Sequence, residues 1–259
     1  MKSDKVKILN ININNDRLED ILLKAIQMVD NSSKFYVCTV NAYQAVKANE
    51  DKTFLKVMND AAIVIPDGMP LVWYSKLLKK PVSERISGYD FFCSFLKFAD
   101  KKNYSYFFLG GESDAVLEKI KHRLKKEFGN VKVTGSICPP IMDSFPDEYD
   151  DYVVSTINRY RPDILWVGIS APKQEKWIHK NIGRLNIKMA FGIGAAFNFY
   201  ANTVRRAPAW MQRIGLEWLY RIYKEPKRLF KKYMVNNTKF IILVFKDSFK
   251  RIFSRSSRF

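Results

Sequence analysis

Two rhythms of apolar residues alternate along the chain. Short runs rich in β-branched and aromatic residues read as strands: Val6–Ile13, Phe35–Val40, Ile63–Ile65, Ser105–Leu109, Val131–Ile137, Asp163–Ile169 and Lys188–Gly194. Between them, apolar residues recur at helical spacing. Leu18–Val29 follows a capping Asn14-Asn15-Asp16, and one long helix is expected from Ala42 to about Asn59. Further helices are expected over Met69–Leu78, Phe91–Ala99, Asp114–Phe128 behind Ser113, and Pro146–Tyr160, whose acidic start suits the helix dipole. Lys173–Lys180 and Trp210–Lys224 complete the set. Strands separated by helices this often predict an α/β fold. The sheet is expected to be mainly parallel and Rossmann-like, with helices on both faces.

In such a sheet, ligands bind outside the carboxyl ends of the strands. Three strand-to-helix loops carry polar residues there: Thr39 and Asn41, Asp67 and Gly68, and Pro172-Lys173-Gln174-Glu175. Pro66-Asp67-Gly68 is also ordinary turn chemistry, with Pro presetting φ and Gly permitting a positive φ. Asp67 is thus either a turn residue or a carboxylate at the rim of a crevice. Gly110-Gly111 and Gly192-Ile193-Gly194 are glycine turns whose backbone N–H groups could cradle phosphate, or simply tight turns.

The charge divides the chain. Net charge is +18, which points to an anionic partner. Residues 205–259 hold fifteen Lys and Arg against three Asp and Glu, so most of the excess lies in the last fifth. We therefore divide the chain into an α/β core, residues 1–204, and a basic amphipathic appendage, residues 205–259. Within Trp210–Lys224, Arg213, Arg221 and Lys224 share a stripe with Glu217, which could pair with both arginines at i, i+4. Basic residues interleaved with Trp210, Trp218, Tyr220, Tyr223, Phe230 and Tyr233 suit an anionic membrane surface. They also suit nucleic acid, although no nucleic-acid module is recognisable.

Other classes are disfavoured. The longest apolar run, Phe240–Phe245, is six residues, whereas a membrane span needs about 20. No apolar stretch follows Met1-Lys2-Ser3-Asp4-Lys5, so no signal peptide is expected. Cys38, Cys93 and Cys138 are odd in number and lack metal-ligand spacing, which fits a reducing cytoplasm. No P-loop, complete G-x-G-x-x-G, G-x-S-x-G or Asp-x-Asp occurs. His122 lies in a charged helix and His179 near a helix end. No cofactor or metal is expected, and cationic side chains would have to neutralise any leaving group.

Nine ordered motifs together resemble a known family, the bacterial WecG/TagA/CpsF glycosyltransferases (glycosyltransferase family 26). They are Thr39-Val40-Asn41, Ala45–Asp51, Pro66-Asp67-Gly68, Glu84–Asp90, Phe108-Leu109-Gly110-Gly111, Pro172–Glu175, Gly192–Phe197, Arg206-Ala207-Pro208, and Gly215–Arg221 with Glu225-Pro226 and Arg228. The resemblance implies an inverting transferase. It would move N-acetylmannosamine from a UDP-sugar to an undecaprenyl-diphosphate-linked sugar, in cell-surface polysaccharide or teichoic acid biosynthesis, at the inner face of the plasma membrane. Donors such as UDP-glucose or UDP-N-acetylmannosaminuronic acid are alternatives on the same fold, and a nucleic-acid-binding protein is a distant one. By position, Asp67 matches the family's proposed general base. Thr39, Asn41, Arg85 and Gln174 match residues of its donor pocket. Arg221 and Arg228 match basic residues of a C-terminal appendage thought to close over the site. A homo-oligomer is compatible with all of this.

The chain departs from the family pattern at three positions. Ala42 stands where Pro often follows the Asn, Asn198 where Asp is common, and Asn202 where Gly is usual. These bear on donor identity more than on fold.

Overall fold

The computed structural model describes residues 5–256. The chain opens with a hairpin rather than one strand: β1 (Lys5–Ile8) pairs antiparallel with β2 (Ile11–Asn14). Leu9 and Asn10 between them take φ of 47° and 68°. Two left-handed central residues match the twist of the flanking strands, but no glycine marks the turn. The expected Asn cap is also absent, because tertiary donors take these side chains. Asn14 Oδ1 accepts the Val64 backbone N–H at 2.9 Å, and Asn15 Oδ1 accepts that of Ser83 at 2.8 Å. Helix α1 (Leu18–Asp30) starts behind Arg17 with no side-chain cap.

Strand β3 (Phe35–Val40) leads to α2 (Ala42–Glu50) and α3 (Lys52–Asp60), two helices where one was expected. The break is Asp51, whose backbone is extended and whose carboxylate accepts the N–H groups of Thr53 and Phe54. An Asp that satisfies two free donors at a helix start is better placed there than inside a helix. Next come β4 (Ile63–Pro66), α4 (Met69–Leu77), α5 (Gly88–Ala99), β5 (Ser105–Gly110), α6 (Asp114–Glu127), β6 (Lys132–Ile137) and α7 (Asp147–Tyr160). The core closes with β7 (Ile164–Gly168), α8 (Lys173–Asn181), β8 (Met189–Gly192) and α9 (Ala196–Tyr200).

Strands β3 to β8 form one sheet in the order β4-β3-β8-β7-β5-β6. Every pairing is parallel. Alternate residues of each strand serve opposite faces, as the pleat requires. Tyr36, Cys38, Val64, Leu165 and Val167 join one core, while Phe35, Val37, Ile63, Trp166 and Phe191 join the other. Burial on both faces explains why β3 and β4 read as unbroken apolar runs.

The last fifth forms α10 (Ala209–Arg213), α11 (Glu217–Lys224) and α12 (Pro226–Ser256). The single helix expected over Trp210–Lys224 is broken at Gly215, where φ is 75°. The break separates Glu217 from Arg213; Arg221 stays on the same helix as Glu217, but Glu217 is turned to Arg85 and Arg206 instead. Helix α12 lies along α2: Lys239 Nζ reaches Glu50 at 2.5 Å, and Phe240 is buried in the core cluster that α2 feeds. No helix among the described residues is long and apolar enough to cross a membrane.

Candidate active site

A cavity of about 890 Å³ opens over the carboxyl edge of the sheet, between the strand ends and helices α11 and α12. The register explains why the loops meet there. Val40 pairs with Pro66, and Val167 pairs with Gly192. The ladder then runs one step further, with the Asp67 N–H donating to Val40 O and the Ile193 N–H to Val167 O, each at 2.8 Å. Thr39, Asn41, Asp67 and Arg85 all line this cavity, as do Gln174, Arg221 and Arg228. All seven residues singled out in the sequence are thus brought to one place.

Each has a local support. Asn41 caps α2 and shares a reciprocal capping box with Gln44. Gln44 then donates from Nε2 to Thr39 Oγ1 at 3.2 Å and to Glu175 Oε1 at 3.1 Å. Glu175 also receives Gln174 Nε2 at 3.0 Å, while Gln174 Oε1 accepts the Gly194 N–H at 3.1 Å. Gly192 makes this possible, since a β-carbon there would lie 2.8 Å from Gln174 Cγ. Glycine at position 192 is therefore explained by a close side chain. Glu175 is fully buried, and its Oε2 has no hydrogen-bond partner among the described residues. Burial pushes its carboxyl up to about 7, against the hydrogen bonds from Gln174 and Gln44.

Asp67 sits among charges. Its backbone is fixed by the sheet, and its side chain is only 26% exposed. Arg85 Nη1 stands 4.0 Å from Asp67 Oδ1, beyond hydrogen-bond range. Arg85 Nη1 lies nearer to Glu217 Oε2, at 3.6 Å, and Nη2 is 4.0 Å from Asp90 Oδ2. Arg206 completes the cluster through Asp90 at 2.5 Å and Glu217 at 3.3 Å. Desolvation raises Asp67 to about 7; Arg85 opposes the rise, and Glu217 and Asp90 add to it. Burial also works against Asp90, but hydrogen bonds from Arg206 and Ser87 hold its carboxyl below the ordinary value.

The part of the cavity lining supplied by the tail helices is cationic. Arg221 and Arg228 come from α11 and α12, with Lys232 beside them. Burial lowers the Lys232 ammonium pKa, and the two arginines lower it further. Arg221 Nε is buried without a partner among the described residues, and Nη1 reaches the Tyr233 hydroxyl at 3.5 Å. Arg228 is ion-paired to Glu225. Among the described residues, no group of three or more His, Cys, Asp or Glu side chains could hold a metal ion.

Residues not assigned from the sequence also belong to the site: Gln44, Asp90, Arg206, Glu217 and Lys232. Asp90, Arg206 and Glu217 lay inside quoted motifs, but their partners are set by tertiary contacts. Lys232 carried no signal beyond its charge.

A parallel α/β sheet with a cavity at its carboxyl edge, lined by carboxylate and guanidinium groups from several loops, has the architecture of a small-molecule enzyme. The chain belongs to the glycosyl transferase WecG/TagA/CpsF family, whose model matches residues 6–253. The match reaches through α12, so the basic tail is part of the family's sequence pattern. The chain is 31% identical over 219 residues to the N-acetylglucosaminyldiphosphoundecaprenol N-acetyl-beta-D-mannosaminyltransferase of Bacillus subtilis (strain 168), covering 85% of this chain and 82% of that one. Its identity to the enzyme of the same name from Bacillus spizizenii is also 31%, over 84% of this chain and 81% of the other. The Staphylococcus aureus (strain MW2) enzyme of that name is 27% identical, over 87% of each chain.

Proposed function

We propose that the protein transfers N-acetylmannosamine from a UDP-sugar to undecaprenyl-diphosphate-linked N-acetylglucosamine, with inversion, at a membrane surface. The relatives' names support the acceptor and the sugar. The observation that carries the chemistry is Asp67, a carboxylate on a rigid strand end, raised to about 7 and lining one cavity with Arg221, Arg228 and Lys232. Transfer is a single displacement. The acceptor hydroxyl oxygen bonds to the anomeric carbon as the bond from that carbon to the diphosphate oxygen breaks. Asp67 takes the hydroxyl proton, and UDP leaves with the electron pair. A carboxyl that ionises near 7 is a stronger base than an ordinary carboxylate and is still about half charged at neutral pH. Arg221 and Arg228 suit the diphosphate, because guanidinium forks bind two oxygens at once. Thr39, Asn41, Arg85 and Gln174 form the donor side. Core and appendage then act as two parts of one site.

The test is a donor screen against a lipid-diphosphate N-acetylglucosamine analogue, with product linkage read by mass spectrometry and NMR. The expected product carries β-linked N-acetylmannosamine. Transfer only from UDP-glucose or UDP-N-acetylmannosaminuronic acid would overturn the donor assignment. That screen also probes Asn198, whose Nδ2 donates to Glu112 at 2.6 Å in the cavity wall, a contact that Asp could make only with a proton on one of the two carboxyls.

A further inference from the structure

The cluster around Asp67 holds more acid than the displacement requires. Three carboxylates, Asp67, Asp90 and Glu217, share two guanidinium groups. Arg206 is firmly placed: its two Nη atoms contact Asp90 at 2.5 and 3.1 Å, Nη2 donates to Ser87 Oγ at 3.0 Å, and the group lies 4.9 Å over the Tyr89 ring. Arg85 is divided. Its nearest carboxylate is Glu217 at 3.6 Å, with Asp67 and Asp90 each at 4.0 Å. It also reaches the Asp67 backbone oxygen at 3.5 Å, so it stands beside the base without capturing it. Glu217 comes from α11, whereas Asp67, Arg85 and Asp90 come from the core.

A guanidinium locked onto a carboxylate would oppose its protonation and so weaken it as a base. We propose that Glu217 is a positioning residue for the base: it draws Arg85 off Asp67, so that docking of the tail helix leaves the Asp67 carboxylate free to take the acceptor proton. This rests on the reading of Asp67 as the base. The charged and titratable groups facing Asp67 are Arg85 and Asp90 in the core, Arg206 just before α10, Glu217 on α11 and Tyr233 on α12. Of these, Glu217 is the carboxylate supplied by the tail helices.

The experiment reads Asp67 directly. Full-length protein is made with carbon-13 at the Asp carboxyls, Asp67→Asn identifies the resonance, and its titration is compared between wild type and Glu217→Gln. The expected midpoint in Glu217→Gln is lower by about one pH unit, because a negative neighbour is lost and Arg85 swings to Asp67. Arg85→Gln is expected to shift the midpoint the other way. General loosening of the site would not give opposite signs. In turnover, the acid limb of the kcat profile moves down with Glu217→Gln and the plateau falls severalfold. An unmoved midpoint in Glu217→Gln, or shifts of one sign in both variants, would overturn the positioning role. A midpoint that moves while the acid limb stays put would leave that placement of Arg85 intact and overturn Asp67 as the base.

Discussion

A β-carbon on Gly215 would fall 2.6 Å from Met69 Cβ, and Met69 begins α4 just two residues after Asp67. The turn between α10 and α11 therefore rests on the helix that follows Asp67. Its φ of 75° is one that side chains disfavour, so two separate requirements select glycine. Gly215→Ala must push the turn away from α4 or strain it, by about 1–3 kcal/mol. Because Glu217 and Arg221 follow directly, we expect kcat/KM to fall at least about tenfold, which 1.4 kcal/mol of misplaced binding would produce. The thermal unfolding of the core should change little. Steady-state kinetics beside a melting curve checks this, and wild-type turnover would contradict it.

Asp67→Asn separates activity from stability. Loss of the proposed base should cost about 10²–10⁴ in kcat with donor affinity nearly unchanged. Stability should move the other way. Burial raises Asp67 from 3.8 to about 7, so between those values the folded state holds more protons than the unfolded chain. Stability from this group therefore falls as pH rises through that window, and the cost persists above it. Asn carries no such cost. The variant should be more stable than wild type by on the order of 2 kcal/mol above pH 7, after discounting for partial exposure, and equal to it below pH 4. Denaturant midpoints at three pH values test the sign.

The sheet was legible because parallel strands buried on both faces are unbroken apolar runs bounded by turn residues. The convergence of Thr39, Asn41, Asp67 and Gln174 followed from where such strands end. What was illegible depends on contacts between distant segments. Leu9-Asn10 turns without glycine because the strands on either side pair. Asp51 breaks a continuous helical pattern because two N–H groups need its carboxylate. Glu217 has arginines at i±4, yet it pairs with Arg85 and Arg206, since the Gly215 turn aims it back at the core. Helical spacing describes only the partners a helix offers itself.

Glu175 should matter without touching substrate. It holds the amides of Gln44 and Gln174, and those amides hold Thr39 Oγ1 and the Gly194 backbone. Gln44 gives one amide hydrogen to each of its two acceptors, so the Thr39 hydroxyl oxygen is occupied and its hydrogen is free to point into the cavity. Glu175→Leu would leave two buried amide donors unpaired. Destabilisation of about 2–4 kcal/mol is expected, with donor KM raised about tenfold and kcat reduced less. Isothermal titration with UDP, together with kinetics, would show it. Unchanged UDP affinity in a folded variant would remove Glu175 from the donor side.

The outer face of α12 makes a separate prediction about the membrane. Phe240 is buried against α2, whereas Ile241, Ile242 and Phe245 are exposed, with Lys246 and Lys250 beside them. An amphipathic helix with apolar and cationic residues side by side suits the headgroup region of an anionic bilayer. None of these residues lines the cavity. Reversing Lys246 and Lys250 to Glu changes the local charge by four, at about 1 kcal/mol per basic residue near such a surface. Binding to vesicles rich in anionic lipid should fall roughly hundredfold or more by that measure, and wild-type binding should weaken steeply with salt. Turnover of a water-soluble acceptor analogue should stay near wild type, because Glu217, Arg221 and Arg228 are untouched. Equal sedimentation of the variant and wild type with anionic vesicles would move the membrane contact off this helix. A gel shift with DNA or RNA that vanished in the variant would favour nucleic acid as the partner of the tail.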